Sequence, residues 1–322
     1  MSEQSFQNIK ILSSADIDKL VDMDDAMDAM EAAFASFSDG TSHVPQRHIS
    51  GIKNLNLFFK PAFNEKLGRV SVKLITQRTA GKHPGIPTIQ GLVLLIDMES
   101  GSILSMMDGA HITALRTGAA GGLAAKLLAP RHAETVALFG CSAQGKTQLE
   151  AVCAVRQIKH AFLYDLNPDA ATKFKEEMEE RLGISTQITK DPEYLKKAQI
   201  ICTATNAKHP LFQLKNISAG THINAIGSYQ PDMQEIDPAI IRSGKIFVDS
   251  RESVLKESGD LIKPINAGLF TAAVIEAEIG ELISKKAKGR RDPDEITIFK
   301  SVGLGVQDLF MANMIYEKYL QQ

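Results

Sequence analysis

The chain is 322 residues long, with a formal net charge of −2 and 44% hydrophobic residues, enough for a large core and for two domains. Charges of both signs are well mixed, which excludes an electrostatic footprint for nucleic acid or an anionic membrane. The three cysteines and eight histidines show neither metal-ligand spacing nor an H-x-x-x-H pair, so no metal site is expected, and the odd thiol count suits a reducing cytoplasm.

The first residues, MSEQSFQNIKIL, lack the charged stretch and long apolar run of a signal peptide. No run farther on approaches a membrane span, so the chain reads as a cytoplasmic globular protein. Residues 9–12 form a short strand candidate, with Ser13 and Ser14 placed to cap a helix. Met23, Met27, Met30, Phe34 and Phe37 recur at helical spacing before Gly40, a stripe that predicts core packing. Residues 44–104 read as strands over 44–49, 55–60, 69–76, 89–96 and around Ile103. Turn signals at Asn64-Glu65 and at 81–85 (GKHPG) separate them. With no helices between them, these strands should be antiparallel and form their own sheet. Residues 113–129, TALRTGAAGGLAAKLLA, predict a helix whose small residues allow close packing, and this helix carries the chain into a second domain.

Residues 134–165 hold the arrangement on which the rest is organised. The apolar run 136–139 has the composition of a buried parallel strand. The turn Gly140-Cys141-Ser142-Ala143-Gln144-Gly145 follows, then a helix marked by Leu149, Val152, Cys153 and Val155. A second strand over 161–164 ends on Asp165, twenty residues beyond Gly145. This is the order of a dinucleotide-binding βαβ unit, with pyrophosphate at the helix N-terminus and ribose on the acid. Ser142 stands where a second glycine is usual; its hydroxymethyl group still admits a phosphate. Asp165 would repel a 2′-phosphate and favours NAD(H) over NADP(H), with Asn167 and Lys173 as neighbours that blur the choice.

The βα rhythm continues with a helix over 170–182, a strand over 186–188, a helix over 192–197 and a strand over 200–203. Further strands follow at 222–226 and 246–249, with a helical turn at 238–242 between them. The loops 203–206 and 227–231 leave the carboxyl ends of their strands, where ligands of such folds bind. Expected cofactor contacts are Thr117, Gly140, Ser142, Ala143, Gln144, Gly145, Asp165, Thr203, Thr205 and Gly227. Residues 296–320 read as one long amphipathic helix, interrupted at Gly303 and Gly305, that returns to the first domain. The predicted fold class is α/β: a Rossmann-type parallel-sheet domain over 121–304, and a discontinuous α+β substrate and dimerisation domain over 1–120 and 305–322.

Three stretches, VSVKLIT (70–76), GIPTIQGLVLLIDMESGSILSMMDGAHITALRTGAA (85–120) and FKSVGLGVQDL (299–309), together with the turn residues Gly140, Ala143 and Gln144, resemble the ornithine cyclodeaminase/μ-crystallin family. That family includes cyclodeaminases, archaeal-type alanine dehydrogenases, reductases of cyclic imino acids and the thyroid-hormone-binding ketimine reductase μ-crystallin. The resemblance implies a homodimer built through the non-Rossmann domain, a nicotinamide cofactor facing that domain, and a small amino or imino acid as substrate. It marks Arg47, Lys73, Thr88 and Arg116 as substrate-binding positions, with Lys73 as the catalytic residue. Guanidinium forks suit an α-carboxylate. Arg116 lies in an Ala/Gly/Leu-rich helix, where its charge needs a partner: a bound anion, or a structural salt bridge. A buried Lys73 could donate a proton to the imine nitrogen; read from the strand alone, it is an ordinary outward lysine. Thr88 would help to hold the carboxylate, or is a turn residue.

One departure bears on the reaction. Cyclodeaminases and the archaeal alanine dehydrogenases carry an aspartate in the loop before the proline that matches Pro231; here Tyr229 takes that position, and Asp232 lies beyond the proline. Cyclodeamination needs a base on the substrate amines, whereas reduction of a preformed cyclic imine needs only a held carboxylate, a protonated nitrogen and hydride. The expectation is therefore an NAD(P)H-dependent reductase of Δ1-pyrroline-2-carboxylate or Δ1-piperideine-2-carboxylate. The alternatives are an ornithine cyclodeaminase-like lyase with catalytic NAD+, an alanine dehydrogenase, or a ligand-binding protein without turnover.

Overall fold

The computed structural model describes residues 8–81, 83 and 85–322; the predicted turn at 81–85 lies partly outside them. The chain divides into two compact units, Met1–Arg116 with Leu304–Gln322, and Thr117–Gly303. Among the described residues no helix is long and apolar enough to cross a membrane.

The first unit opens with β1 (Lys10–Leu12), α1 (Ser14–Leu20) and α2 (Met23–Ser38). Both helices begin in capping boxes, Ser13 with Asp16 and Asp22 with Asp25, which satisfy donors that the first helical turn leaves free. Met27, Met30 and Phe34 of α2 are buried, as the stripe predicted. Strands β2 (Ser42–His43), β3 (His48–Ile52), β4 (Leu55–Asn64), β5 (Arg69–Arg78), β6 (Ile89–Asp97) and β7 (Ile103–Asp108) follow. Strands β4 to β7 pair antiparallel in sequence order, and β1 adds in parallel to β7. Of the strand expected over 44–49 only 48–49 is realised, as the start of β3; 44–47 is irregular between β2 and β3, and Pro45 lacks the N–H a continuous ladder would use.

The sheet has two unlike faces. Phe58, Ala62, Ser71, Lys73, Val93, Leu95, Ser105 and Met107 are buried on one. The chain's last helix, α10, packs on that face: a side chain at Gly305 would meet the Pro61 carbonyl at 2.9 Å and the Ala62 methyl at 3.2 Å. Alternation puts Phe59, Leu74 and Leu92, and beside them Val72, Leu94 and Met106, in cross-strand register on the opposite face. Leu92 is 42% exposed there.

Helix α3 (Gly109–Leu128) contains the boundary between the units. In the second unit its small residues pack against α4 (Ala143–Val155): a Cβ at Gly118 would lie 2.5 Å from Thr147, and one at Gly121 2.1 Å from the Gln148 side chain. In chain order the unit runs β8 (Thr135–Phe139), α4, β9 (His160–Tyr164), α5 (Pro168–Leu182), β10 (Ser185–Ile188), β11 (Ile200–Thr203), β12 (His222–Ala225), α6 (Pro238–Ser243) and β13 (Lys245–Val248). It closes with α7 (Arg251–Glu257), α8 (Gly259–Asn266), β14 (Ile275–Glu278), α9 (Ile279–Ile283) and β15 (Thr297–Lys300), before α10 (Gly305–Leu320). All strand pairs are parallel, in the order β10-β9-β8-β11-β12-β15-β13-β14. The first five strands follow the doubly-wound order, with its reversal at β8/β11.

The long helix expected over 296–320 is half wrong. Residues Thr297–Lys300 form a strand buried on both faces between β12 and β13, and only Gly305–Leu320 is helical. A four-residue apolar run does not distinguish strand from helix by periodicity. The segment 192–197 is a 3-10 helix, and α7, α8, β14 and α9 were not expected.

Candidate active site

Each unit contributes one constellation. In the first unit, Lys73 on β5 points to the α10-covered face and is fully buried. Its Nζ donates to Asp308 Oδ1 at 2.7 Å and to Thr113 Oγ1 at 3.0 Å. Arg116, 5% exposed, places Nε 3.3 Å from the same Asp308 oxygen and donates from Nη1 to Gln307 Oε1 at 3.2 Å. The structure thus brings two of the expected substrate residues together on a carboxylate that sequence reasoning missed. Burial pulls the Lys73 ammonium down to about 7; Asp308 opposes that fall, while Arg116 and Lys60 add to it. Burial alone would raise Asp308, but Lys73, Arg116 and Lys60 hold its carboxyl below the usual range, so it stays ionised. Two cations on one anion leave an excess of one buried positive charge.

Arg47 immediately precedes β3, whose His48 pairs with Phe59, while the next β4 residue, Lys60, pairs with Lys73. Lys60 and Lys73 are thus cross-strand neighbours, and Lys60 is a second basic group absent from the expected set. Thr88 is exposed before β6, and its carbonyl accepts from Arg78 N at 2.9 Å. Arg78 lies five positions beyond Lys73 on β5, about 17 Å of strand, so Thr88 is not brought into the cluster.

In the second unit the turn between β8 and α4 is set by close approaches. Gly140, at φ 98°, leaves 2.6 Å between an added Cβ and the Ala204 carbonyl, and a Cβ at Gly145 would fall 2.0 Å from the Gly140 carbonyl. Only glycine lets α4 begin this close to the strand. Ser142 is the N-cap but makes no side-chain capping bond, and Ser142 and Ala143 are exposed, so the first-turn N–H groups are accessible. Gln144 is half-buried beside them. Asp165, half-buried at the end of β9, accepts from Cys141 N at 2.7 Å and from Asn167 N at 2.8 Å. Each of its oxygens retains a lone pair for a ribose hydroxyl. Thr117 is buried on α3, and its carbonyl accepts from Gln148 Nε2 at 2.7 Å.

The loops after β11 and β12 are tied by a second missed carboxylate. Glu235, fully buried, accepts from Thr205 N and Thr205 Oγ1 on Oε1, both at 2.7 Å. Its Oε2 accepts from Thr203 Oγ1 and Gly227 N, both at 2.8 Å. Burial raises its carboxyl above the usual range against the pull of Lys300. Asp260, paired with Lys300 at 3.2 Å, accepts from Glu235 N and Ile236 N and so holds the backbone of this residue. The hydroxyls of Thr203 and Thr205 are thus committed to Glu235. Neither missed acid has a local motif; each is found only through its partners.

Tyr229 packs at the edge of the core. Asp232 lies on the surface, bonded to Lys208 at 2.8 Å, and that bond holds its carboxyl below the usual range. It is an exposed ionised acid paired with Lys208. The thiols of Cys141, Cys153 and Cys202 are pushed up to about 12 by burial and are unsuited to nucleophilic work.

One unit with a doubly-wound sheet, a glycine turn and a terminal acid, and another with a buried Lys–Asp–Arg cluster, define a two-unit protein of the nicotinamide-dinucleotide class. The chain belongs to the ornithine cyclodeaminase/mu-crystallin family, whose model matches residues 7–322. It is 38% identical to a Delta(1)-pyrroline-2-carboxylate reductase of Bacillus cereus over 97% of both chains. It is also similar to the Delta(1)-pyrroline-2-carboxylate reductase of Thermococcus litoralis solved with NADH and L-proline, at 38% identity and TM-score 0.93 over 97% of this chain and 98% of that one. An archaeal alanine dehydrogenase dimer with bound NAD matches at 34% identity and TM-score 0.91, over 97% and 96%.

Proposed function

We propose that this protein is an NAD(P)H-dependent reductase of small cyclic α-imino acids, converting Δ1-pyrroline-2-carboxylate or Δ1-piperideine-2-carboxylate to L-proline or L-pipecolate. The observation that carries the reading is the buried Lys73–Asp308–Arg116 cluster with its surplus positive charge. One carboxylate neutralises that surplus, and a lysine poised near neutrality can protonate an imine nitrogen. Arg116 and Arg47 take the substrate carboxylate, and Lys73 stands at the nitrogen. Tyr229 stands where cyclodeaminases carry their aspartate, and Asp232 is engaged by Lys208 at the surface, which disfavours the amine chemistry of cyclodeamination. The named relatives, two pyrroline-2-carboxylate reductases, support the same reaction.

The residues of the second unit fit a nicotinamide dinucleotide. The N–H groups at Ser142, Ala143 and Gln144 would take the pyrophosphate, the glycines at 140 and 145 give it room, and Asp165 would take the adenosine ribose. Bound there, the reduced cofactor supplies hydride to the imine carbon. Asp165 favours NADH over NADPH, since a 2′-phosphate would meet its charge. The protein works as a homodimer through the apolar sheet face around Leu74, Leu92 and Leu94, where Leu92 is exposed among the described residues. An alanine dehydrogenase dimer among its structural relatives supports that assembly.

The test is oxidation of NADH and NADPH by purified protein with Δ1-pyrroline-2-carboxylate, with L-ornithine plus NAD+ and pyruvate plus ammonia in parallel. Rapid cofactor oxidation yielding proline is expected. Ammonia and proline from ornithine, or turnover of pyruvate alone, would overturn the reading.

A further inference from the structure

We infer that Asp308 is the positioning residue that makes Lys73 the acid of the reaction, holding its ammonium and the Arg116 guanidinium on one carboxylate. The inference rests on the reductase reading above and adds to it the origin of the proton.

The geometry begins with Gly305. Because no side chain there fends off Pro61 and Ala62, the first turn of α10 lies directly on β4. Two consecutive residues of that turn, Gln307 and Asp308, reach the cations of β5 and α3. Gln307 Oε1 accepts from Leu304 N at 2.7 Å and from Arg116, which fixes the guanidinium. Asp308 Oδ1 takes Lys73 at 2.7 Å and Arg116 Nε at 3.3 Å. The charged groups facing Lys73 are Lys60 from β4, Arg116 from α3 and Asp308 from α10, and Thr113 of α3 contributes a hydroxyl. Of these, Asp308 alone is an anion. Burial, Arg116 and Lys60 all favour the neutral amine, so the proton remains on Lys73 because of Asp308.

The C=N π pair takes a proton from the Lys73 ammonium, breaking an N–H bond of Lys73; a reduced nicotinamide bound to the second unit would supply the hydride for the new C–H bond and would be left oxidised. The neutral amine is left beside Asp308, whose charge draws a replacement proton from water.

The experiment compares the pH–rate profiles of the wild type and Asp308→Asn with Δ1-pyrroline-2-carboxylate and NADH. Activity needs protonated Lys73 and falls as pH rises through its pKa. Removing the anion lowers that pKa, so the basic limb should move down by about 1–3 pH units, with activity regained on acidification. A limb that stays in place while activity drops equally at every pH would overturn the inference and leave a structural role. NADH titration and thermal melting establish that the variant is folded. The 13Cε resonance of Lys73, assigned by its loss in Lys73→Arg, provides a readout without turnover. Its midpoint should fall in the variant, and an unchanged midpoint overturns the inference. If the wild type oxidises no cofactor with any imine, the reductase reading fails, and this resonance alone decides whether Asp308 sets the charge of Lys73.

Discussion

Glu235→Gln is a severe perturbation despite its near-identical shape, because of how the donors divide. Each carboxylate oxygen receives one backbone N–H, Thr205 on Oε1 and Gly227 on Oε2, and one threonine hydroxyl. A glutamine presents its NH2 to one of these pairs in either flip. The hydroxyl can rotate and become an acceptor, but the backbone N–H cannot, so one buried donor is always orphaned. That costs about 1–3 kcal/mol, and the charge assistance of the remaining bonds is lost as well. For a unit of this size the melting temperature should fall by about 2–4 °C per kcal/mol. The orphaned group lies in a loop at the carboxyl end of β11 or β12, so NADH affinity should weaken in the same variant. Differential scanning calorimetry with and without NADH, together with a fluorescence titration, measures both effects. An unchanged melting temperature with wild-type affinity would refute the accounting.

Three further outcomes are expected. Burial lowers His222 to about 3, so it is neutral in the fold, where it bonds Thr297 and Asn224. Below its unfolded value of about 6.5 only the unfolded chain takes up the proton, so stability should fall by about 1.4 kcal/mol per pH unit from there toward 3. Urea unfolding at neutral and acidic pH should show this slope in the wild type and lose it in His222→Leu. Asp165→Asn removes the charge but keeps an acceptor, and should shift the NADPH-to-NADH ratio of kcat/KM about tenfold toward NADPH, equivalent to about 1.4 kcal/mol; steady-state kinetics with both cofactors checks it. Leu92→Glu places a charge on the apolar sheet face and should give monomers in sedimentation velocity, while a dimer that persists would place the interface elsewhere.

The buried βαβ run, the glycine turn, Asp165 and the small-residue helix were legible in the sequence because local rules act on them. A strand buried on both faces must be apolar throughout, a close strand-to-helix turn must be glycine, and a tightly packed helix must be small. The antiparallel sheet was legible for the same reason, from its turns and the absence of helices. Residues 297–300 were not, since four apolar residues satisfy both periods and only insertion between β12 and β13 makes them a strand. The split at 44–47 likewise depended on which N–H groups the ladder needs. The buried acid that organises each unit's cluster was decided wholly by tertiary structure. Asp308 meets Lys73 across 235 residues, and Glu235 meets Thr203 across 32. Sequence determined that a lysine and an arginine were present on a strand and a helix; only folding put one carboxylate between them, because the electrostatics of a buried charge depend on its neighbours in space and leave no pattern along the chain.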